Sequence, residues 1–354
     1  MSLSDGQAAL RLEAPPRVPR TEYSAHTYHF ALMRRVTGLE AAPDSPREEQ
    51  ETMRRAFLKA WDYGLLWNVG MSSEALGGAG TDMGHAAYAE DGGDQRSPSA
   101  GGYFREPEDA LAFDPEALLP PCDRQAARRK FEAGYASAAA DYPDAVNMTG
   151  VYISCMSGLI EIFGWDMLLT ALGHDPEAFG EAAHRYGRWI QPYFEALADS
   201  DVPVVMVHDD LVWTSGAFAH PAWYRRYIFP NLKRAIQPLR DSGKIVLFTS
   251  DGDYTEFFDD VAACGAHGFF LEPCADLAAL ASRYGQSHVI AGNADTRVLL
   301  SGPREAIQAE VKRCMDIARR CPGFFMAVGN HIPANTPVEN ALYYNECYMK
   351  MRDR

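Results

Sequence analysis

The sequence lacks paired cysteines. Seven are present, at positions 122, 155, 264, 274, 314, 321 and 347, odd in number and widely scattered. No C-x-x-C occurs, which argues against a disulfide framework and against a cysteine-rich zinc site. Long apolar runs are also missing: no uninterrupted stretch reads as a bilayer span, and the first residues, MSLSDGQAALRLEAPPRVPR, contain no apolar leader core. The mean hydropathy of -0.26 agrees, so the expected setting is the cytoplasm, without a membrane. Positive charge is scarce, with 33 basic residues against 48 acidic ones and a net charge of -15. A nucleic-acid partner, whose phosphates need clustered Lys and Arg, is therefore not expected. The local basic run RQAARRK (124–130) reads as a solvated helix face.

What is present is material for a large core, with 47% hydrophobic and 23% charged residues in 354. That length suits two domains or one large barrel. Residues 1–22, rich in Pro, Arg and small side chains, read as a flexible N-terminal arm, and 23–354 as a single domain. A helix is expected over 45–62, where Ser-Pro and early acids precede apolar positions at helical spacing, followed by a short strand YGLLWNV. Residues 70–104, heavy in Gly, Ser and Ala, read as a long loop, and loops of this length inside domains are usually functional or mobile. The second half is regular. Strands VPVVMVHDD, KIVLFTS, GFFLEP, HVIAGNAD and GFFMAVGN alternate with helical segments, a succession that implies a parallel sheet. With three more strands from the first half, an eight-stranded β/α barrel fits the length.

Parallel strands bring their carboxyl ends to one face. There the sequence places His208, Asp209 and Asp210, then Thr249, Ser250 and Asp251, then Glu272, Asn293 and Asp295, and finally Asn330 and His331. Asp253 and Asp295 stand beside helix starts, where capping is the simpler role. Carboxylates crowded around one mouth repel each other unless a cation or proton intervenes. Strand alternation sends His208 and Asp209 to opposite sides, which makes Asp210 the better-placed acid.

The motifs HDDLVWTSG, PAWYRRYIFPNLKRAI, SDGD, LEP, AGNADTRVLLSGPREAI and GNHIPANTPVEN, in this order, resemble the uroporphyrinogen decarboxylase superfamily, which includes corrinoid-dependent methyltransferases. The resemblance runs over about residues 45–350 and implies an α/β fold, a (β/α)8 TIM barrel with its site at the carboxyl ends of the strands. The family's R-x-A-G-R-Y motif, whose arginines bind substrate carboxylates, is absent. The comparable loop, TDMGHAAYAEDG, offers Asp82, His85 and Asp91. A tetrapyrrole with many carboxylates is a poor guest for an acidic mouth without that clamp. In the methyltransferase branch an H-x-C motif and a later cysteine hold zinc. Those positions fall here on Thr249, Asp251 and Asn330, and hydroxyl, carboxylate and amide do not replace thiolate and imidazole for zinc in that style.

The resemblance thus implies an enzyme that moves a methyl group between a small methylated substrate and a corrinoid on a partner protein. The corrinoid-binding pattern D-x-H-x-x-G does not occur in the chain. A decarboxylase or other lyase acting on a smaller carboxylated molecule is the alternative, and a non-catalytic binding barrel a third reading. Catalytic roles are expected for Asp210, Asp251 and His331, and substrate contacts for His85, His208, Thr249, Glu272, Asn293 and Asn330. The aromatics Tyr88, Tyr103 and Phe104 could cover a flat substrate. Asp251, Glu272 and His331 are the candidate ligands for a divalent metal; no other bound cofactor is expected, and a homodimer is left open.

Overall fold

The computed structural model describes residues 2–81 and 102–354. Its strands are β1 (Leu65–Leu66), β2 (Val146–Asn147), β3 (Thr149–Val151), β4 (Val204–His208), β5 (Ile245–Thr249), β6 (Gly268–Phe270), β7 (Val289–Ala294) and β8 (Phe324–Val328). β3 to β8 pair in sequence order in one parallel sheet, and β1 pairs with β2 in parallel. Between β2 and β3 lies only Met148, so the two are halves of one stave. The first half pairs back to β1, with Leu65 opposite Val146, and the second forward to β4, with Thr149 opposite Val205.

The seam between β8 and β1 is filled by residues 19–21. Arg20 bridges Met326 on one side and Tyr63 on the other, both in parallel. Thr21 N–H donates to the Met326 carbonyl at 3.0 Å, Met326 N–H to that of Pro19 at 2.8 Å, and Gly64 N–H to that of Arg20 at 2.8 Å. These residues are a stave of the barrel and bring the ring to eight. The segment expected to be a loose arm is therefore inside the fold, and a domain boundary at residue 23 would cut the ring. Ahead of it, helix Ser2–Leu10 covers the amino ends of the strands, with Ala9 and Leu10 in the interior core. A Cβ at Gly6 would lie 2.1 Å from the Gly64 carbonyl oxygen, so the close approach of this helix needs glycine.

Buried charge holds the seam. Arg20 and Glu22 are both fully buried, with Nη2 3.0 Å from Oε1. The guanidinium lies over the rings of Trp61 (4.5 Å), Tyr348 (4.6 Å) and Tyr344 (5.3 Å) and donates to Asn345 Oδ1 at 2.5 Å. Glu22 accepts from Tyr344 Oη at 2.8 Å and from Val328 N–H at 2.9 Å. The arm reads as surface in sequence because nothing local shows that these partners, all but Trp61 more than 300 residues away in the chain, satisfy its charges.

The expected alternation of strands and helices in the second half is present. Asp175 caps helix Pro176–Ala198 by accepting from Glu177 and Ala178 N–H. The helical segment with Pro230 divides into Pro221–Tyr227 and Phe229–Asp241, which begins two residues later so that Pro230 falls in its first turn. Helix Cys155–His174 is long and apolar enough to cross a membrane by length and composition, but 67% of its apolar window is buried in the fold. Gly164, Glu161 and Asp166 interrupt it, which hides it from a search for unbroken apolar runs.

Removing one member of the Arg20–Glu22 pair leaves a buried charge without its partner. Arg20→Ala is expected to cost about 3–5 kcal/mol in urea unfolding, and Arg20→Met with Glu22→Gln much less than the two single changes together. A chain starting at residue 23 that unfolds at the wild-type urea concentration would show the first stave to be dispensable.

Candidate active site

Side chains on alternate strand positions fill the barrel interior. Its apolar layers include Leu65, Val146, Met148, Val204, Met206, Leu247, Phe270, Ala291 and Phe325. The next inward positions toward the carboxyl ends are Trp67, Tyr152, His208 and Thr249, and Tyr23 follows the first stave. Tyr23, Trp67 and Tyr152 pack on the interior core yet are only partly buried, so they form the floor of the mouth. The Tyr23 ring is 4.8 Å from Trp67 and 5.9 Å from Phe270, with Trp67 4.5 Å from Phe270. Tyr23 Oη lies 3.1 Å from Thr249 Oγ1.

His208 stacks on Tyr152 with centroids 3.8 Å apart and planes at 12°. Its Nδ1 is 3.0 Å from the Tyr152 carbonyl, which fixes N–H there and turns Nε2 to Asp210 Oδ1 at 3.1 Å. Ser157 Oγ is 3.3 Å from the same Nδ1 and accepts from Asp210 N–H at 2.7 Å. Burial disfavours the charged ring, but Asp210, aided by Asp251, outweighs it and raises His208 to about 9. At neutral pH the ring is an imidazolium.

From here hydrogen bonds cross the mouth. Asp251 N–H donates to Asp210 Oδ1 at 3.3 Å, and the next amide, of Gly252, donates to Glu272 Oε2 at 2.9 Å. Glu272 Oε1 accepts from Asn330 Nδ2, Asn330 Oδ1 from His331 N–H, and His331 Nδ1 meets Ser24 Oγ. Gly252 has φ 82°, and a Cβ there would stand 2.4 Å from the Trp213 carbonyl oxygen. Only glycine makes this exit. Burial lowers His331 to about 4, so it is neutral at pH 7 and a weaker proton donor than expected.

Several expected site residues lie elsewhere. Asn293 donates to the carbonyls of Glu272 and Ala275 and accepts from Arg313 at 2.9 Å, so it pins a strand end to the surrounding helices and does not line the mouth. Asp295 and Asp253 accept from the N–H groups of Arg297 and Thr255 at the starts of the following helices. Asp209, fully buried, accepts from Met156 and Ser157 N–H at the start of helix Cys155–His174; burial lifts it to about 7 against those two bonds. Phe104 packs on Phe113 and Phe163, and Tyr103 is exposed. His85, with Asp82, Tyr88 and Asp91, lies outside the described residues.

For a metal, the expected trio Asp251, Glu272 and His331 is not the one that converges. Among the described residues, ligand atoms of His208, Asp210 and Asp251 lie within 4.8 Å of one another, a spacing that one divalent ion or one proton can serve. Glu272 is engaged by Gly252 and Asn330, and His331 by Ser24. The zinc positions of the methyltransferase branch hold Thr249, Asp251 and Asn330, with no thiolate, and so do not fit that ion. The sequence reading missed Tyr23, Ser24, Trp67, Tyr152 and Ser157. The alternation Leu65, Trp67 within YGLLWNV was a usable signal; Tyr23 and Ser24 were lost by placing the start of the barrel beyond the first stave.

Comparison with known proteins places this geometry in a family. Residues 112–350 match the family described as Uroporphyrinogen decarboxylase (URO-D). A curated uroporphyrinogen decarboxylase of Syntrophotalea carbinolica is 30% identical over 159 residues, 45% of either chain. That of Geobacter sulfurreducens is 25% identical over 190 residues, 54% of either chain. The chain thus spans about half the length of the curated relatives it matches. A solved structure of a methyltransferase from Methanosarcina mazei superposes with a TM-score of 0.66 at 16% identity, covering 99% of this chain and 98% of that one, a likeness of fold. The family match takes in β2 to β8 and every strand end that bears a mouth carboxylate, and the chain belongs to the uroporphyrinogen decarboxylase family.

Proposed function

We propose that the chain is a cytoplasmic methyltransferase that moves a methyl group from a small methylated substrate to a corrinoid carried by a separate protein. The observation that carries this reading is His208 on an aromatic floor, with Nε2 3.1 Å from Asp210 Oδ1 and Asp251 beside it, an arrangement that favours the imidazolium. When a methyl carbon leaves oxygen or nitrogen, the heteroatom keeps the electron pair and takes a proton in most such substrates. Nε2 of His208 is the donor for it, and Asp210 keeps the ring charged and oriented. Tyr23, Trp67 and Tyr152 seal the site from below. The partner's corrinoid supplies the methyl acceptor.

Uroporphyrinogen itself suits this mouth poorly. The described strand ends carry Asp210, Asp251 and Glu272, and none of them carries an Arg or Lys to receive a polycarboxylate. The fold is shared along nearly the whole chain with a methyltransferase from Methanosarcina mazei, which supports this reading. A second reading, decarboxylation of a smaller carboxylated molecule with His208 protonating the carbon left behind, draws support from the names of the curated relatives.

Mixing the protein with a reduced corrinoid carrier and a panel of methoxy and methylamine compounds is expected to change the corrinoid spectrum. Release of carbon dioxide from a carboxylated panel, with a silent corrinoid, would favour the second reading. His208→Gln is expected to lower turnover by about 10²–10⁴-fold. The raised pKa sets the sign of the pH dependence: the acid form is present below about 9, so kcat/KM falls as pH rises through that value. In Asp210→Asn burial is less opposed and this limb moves to lower pH. A limb that stays in place would assign the acid to another group.

A further inference from the structure

The start of helix Cys155–His174 is fastened to the end of β4. Ser154 Oγ donates to the His208 carbonyl, and the amides of Met156 and Ser157 donate to Asp209. A further contact differs from these because it reaches the mouth. Ser157 Oγ accepts from Asp210 N–H at 2.7 Å and lies 3.3 Å from Nδ1 of His208. With the Nδ1 proton directed to the Tyr152 carbonyl at 3.0 Å, the hydroxyl oxygen is an acceptor in this second contact too. A hydroxyl oxygen has two lone pairs, and here each meets an N–H. One N–H belongs to the ring, the other to the acid paired with that ring, whose Oδ1 is 3.1 Å from Nε2. A single oxygen thus fixes both members of the pair relative to each other.

That oxygen has little freedom. Ser157 is fully buried. Its turn is backed by Tyr186 on helix Pro176–Ala198, whose hydroxyl donates to the Ile153 carbonyl at 2.7 Å. A Cβ at Gly158 would stand 1.9 Å from the same hydroxyl oxygen, so the helix start is clamped between its neighbours. The His208 ring lies flat on Tyr152 with centroids 3.8 Å apart, a contact that leaves the ring free to turn in its own plane. The acceptors at Nδ1 remove that freedom, and Ser157 is the side chain among them. We infer that Ser157 is a positioning residue for the proton donor: it keeps a proton on Nδ1 and so makes Nε2 the nitrogen that gives its proton up. This deepens the reading of His208 as the acid and rests on it for turnover, though not for the state of the ring. In turnover the Nε2–H bond breaks, its electron pair stays on Nε2, and the proton bonds to the departing heteroatom. The ring is left as the neutral tautomer, with its remaining proton on Nδ1 shared by the Tyr152 carbonyl and the Ser157 oxygen.

Nitrogen NMR of histidine-labelled protein, read beside steady-state kinetics, tests this, with the His208 resonances assigned by their loss in His208→Gln. The wild-type ring is expected to carry an Nδ1 proton in slow exchange with water. Ser157→Ala removes the acceptor, and Ser157→Cys fills the same space with a poor one. Both are expected to speed exchange of the Nδ1 proton and shift its nitrogen resonance, and to lower kcat about tenfold to a hundredfold with KM unchanged. Ser154→Ala loses a buried hydrogen bond in the same turn but no contact with the ring, and is expected to keep the wild-type ring resonances and kcat. A Ser157→Ala ring with wild-type resonances, a Ser157→Cys protein indistinguishable from wild type, or the same ring shift in Ser154→Ala would each overturn the inference. So would a wild-type Nδ1 that carries no proton or exchanges it freely, a result that needs no variant to fold. The expected ring changes in a protein that turns over no methylated or carboxylated compound would leave the inference standing and remove the reading of His208 as the acid. Turnover lost in His208→Gln but kept in Ser157→Ala, with an unmoved ring, would do the reverse.

Discussion

The buried pair of Arg20 and Glu22 is the constraint on which the ring depends. Strands β3 to β8 are tied by continuous ladders, whereas the remaining seam has only a few main-chain hydrogen bonds on each side. Two ions at that seam are stable only if each finds its complement, and they do so among Trp61, Tyr344, Asn345, Tyr348 and the Val328 amide. The C-terminal helix Val338–Met351 supplies three of these partners. First stave, last strand and last helix are thus joined at one point. Tyr23 and Ser24 follow Glu22 directly, so the same pair sets the height at which the floor and the His331 contact begin.

Much of the barrel was legible because its second half obeys local rules. Apolar runs such as VVMV and IVLF, bounded by Gly, Pro and capping acids, announce buried strands, and the capping roles of Asp253 and Asp295 follow from their places before helices. The first half was less legible for a physical reason. β1 has two residues, β2 two and β3 three, too few to show a period, and the first stave has the Pro- and Arg-rich composition of a linker. Within the site, sequence placed the mouth residues but not their partners. His208 was expected as a substrate contact, and in three dimensions Asp210 and Asp251 converge on it and favour its charged form. His331 was expected as an acid, but it sits where burial keeps it neutral. Asn293 was misplaced because its amide is turned out to Arg313 and two carbonyls that lie distant in sequence.

Asp209 and Asp210 show how finely one peptide divides structural from chemical work. Both are buried acids after β4. One turns to the start of a helix, where two amides receive it; the other turns to an imidazolium inside the mouth. Their surroundings differ in what they hydrogen-bond, backbone dipoles in the first case and the His208 ring in the second, and burial lifts Asp209 in spite of its two amides. The same period of two separates the outer Phe248 from the inner Thr249 on β5.

The consecutive amides of Asp251 and Gly252 hold the carboxylates of two neighbouring staves. Main chain, not side chain, spaces those acids. Position 251 can therefore exchange its side chain while the groups on either side stay where they are, provided glycine follows. A thiol there would offer one soft ligand where the carboxylate offers a hard one, on the same frame. The reagent at this position is thus separable from the vessel that holds it.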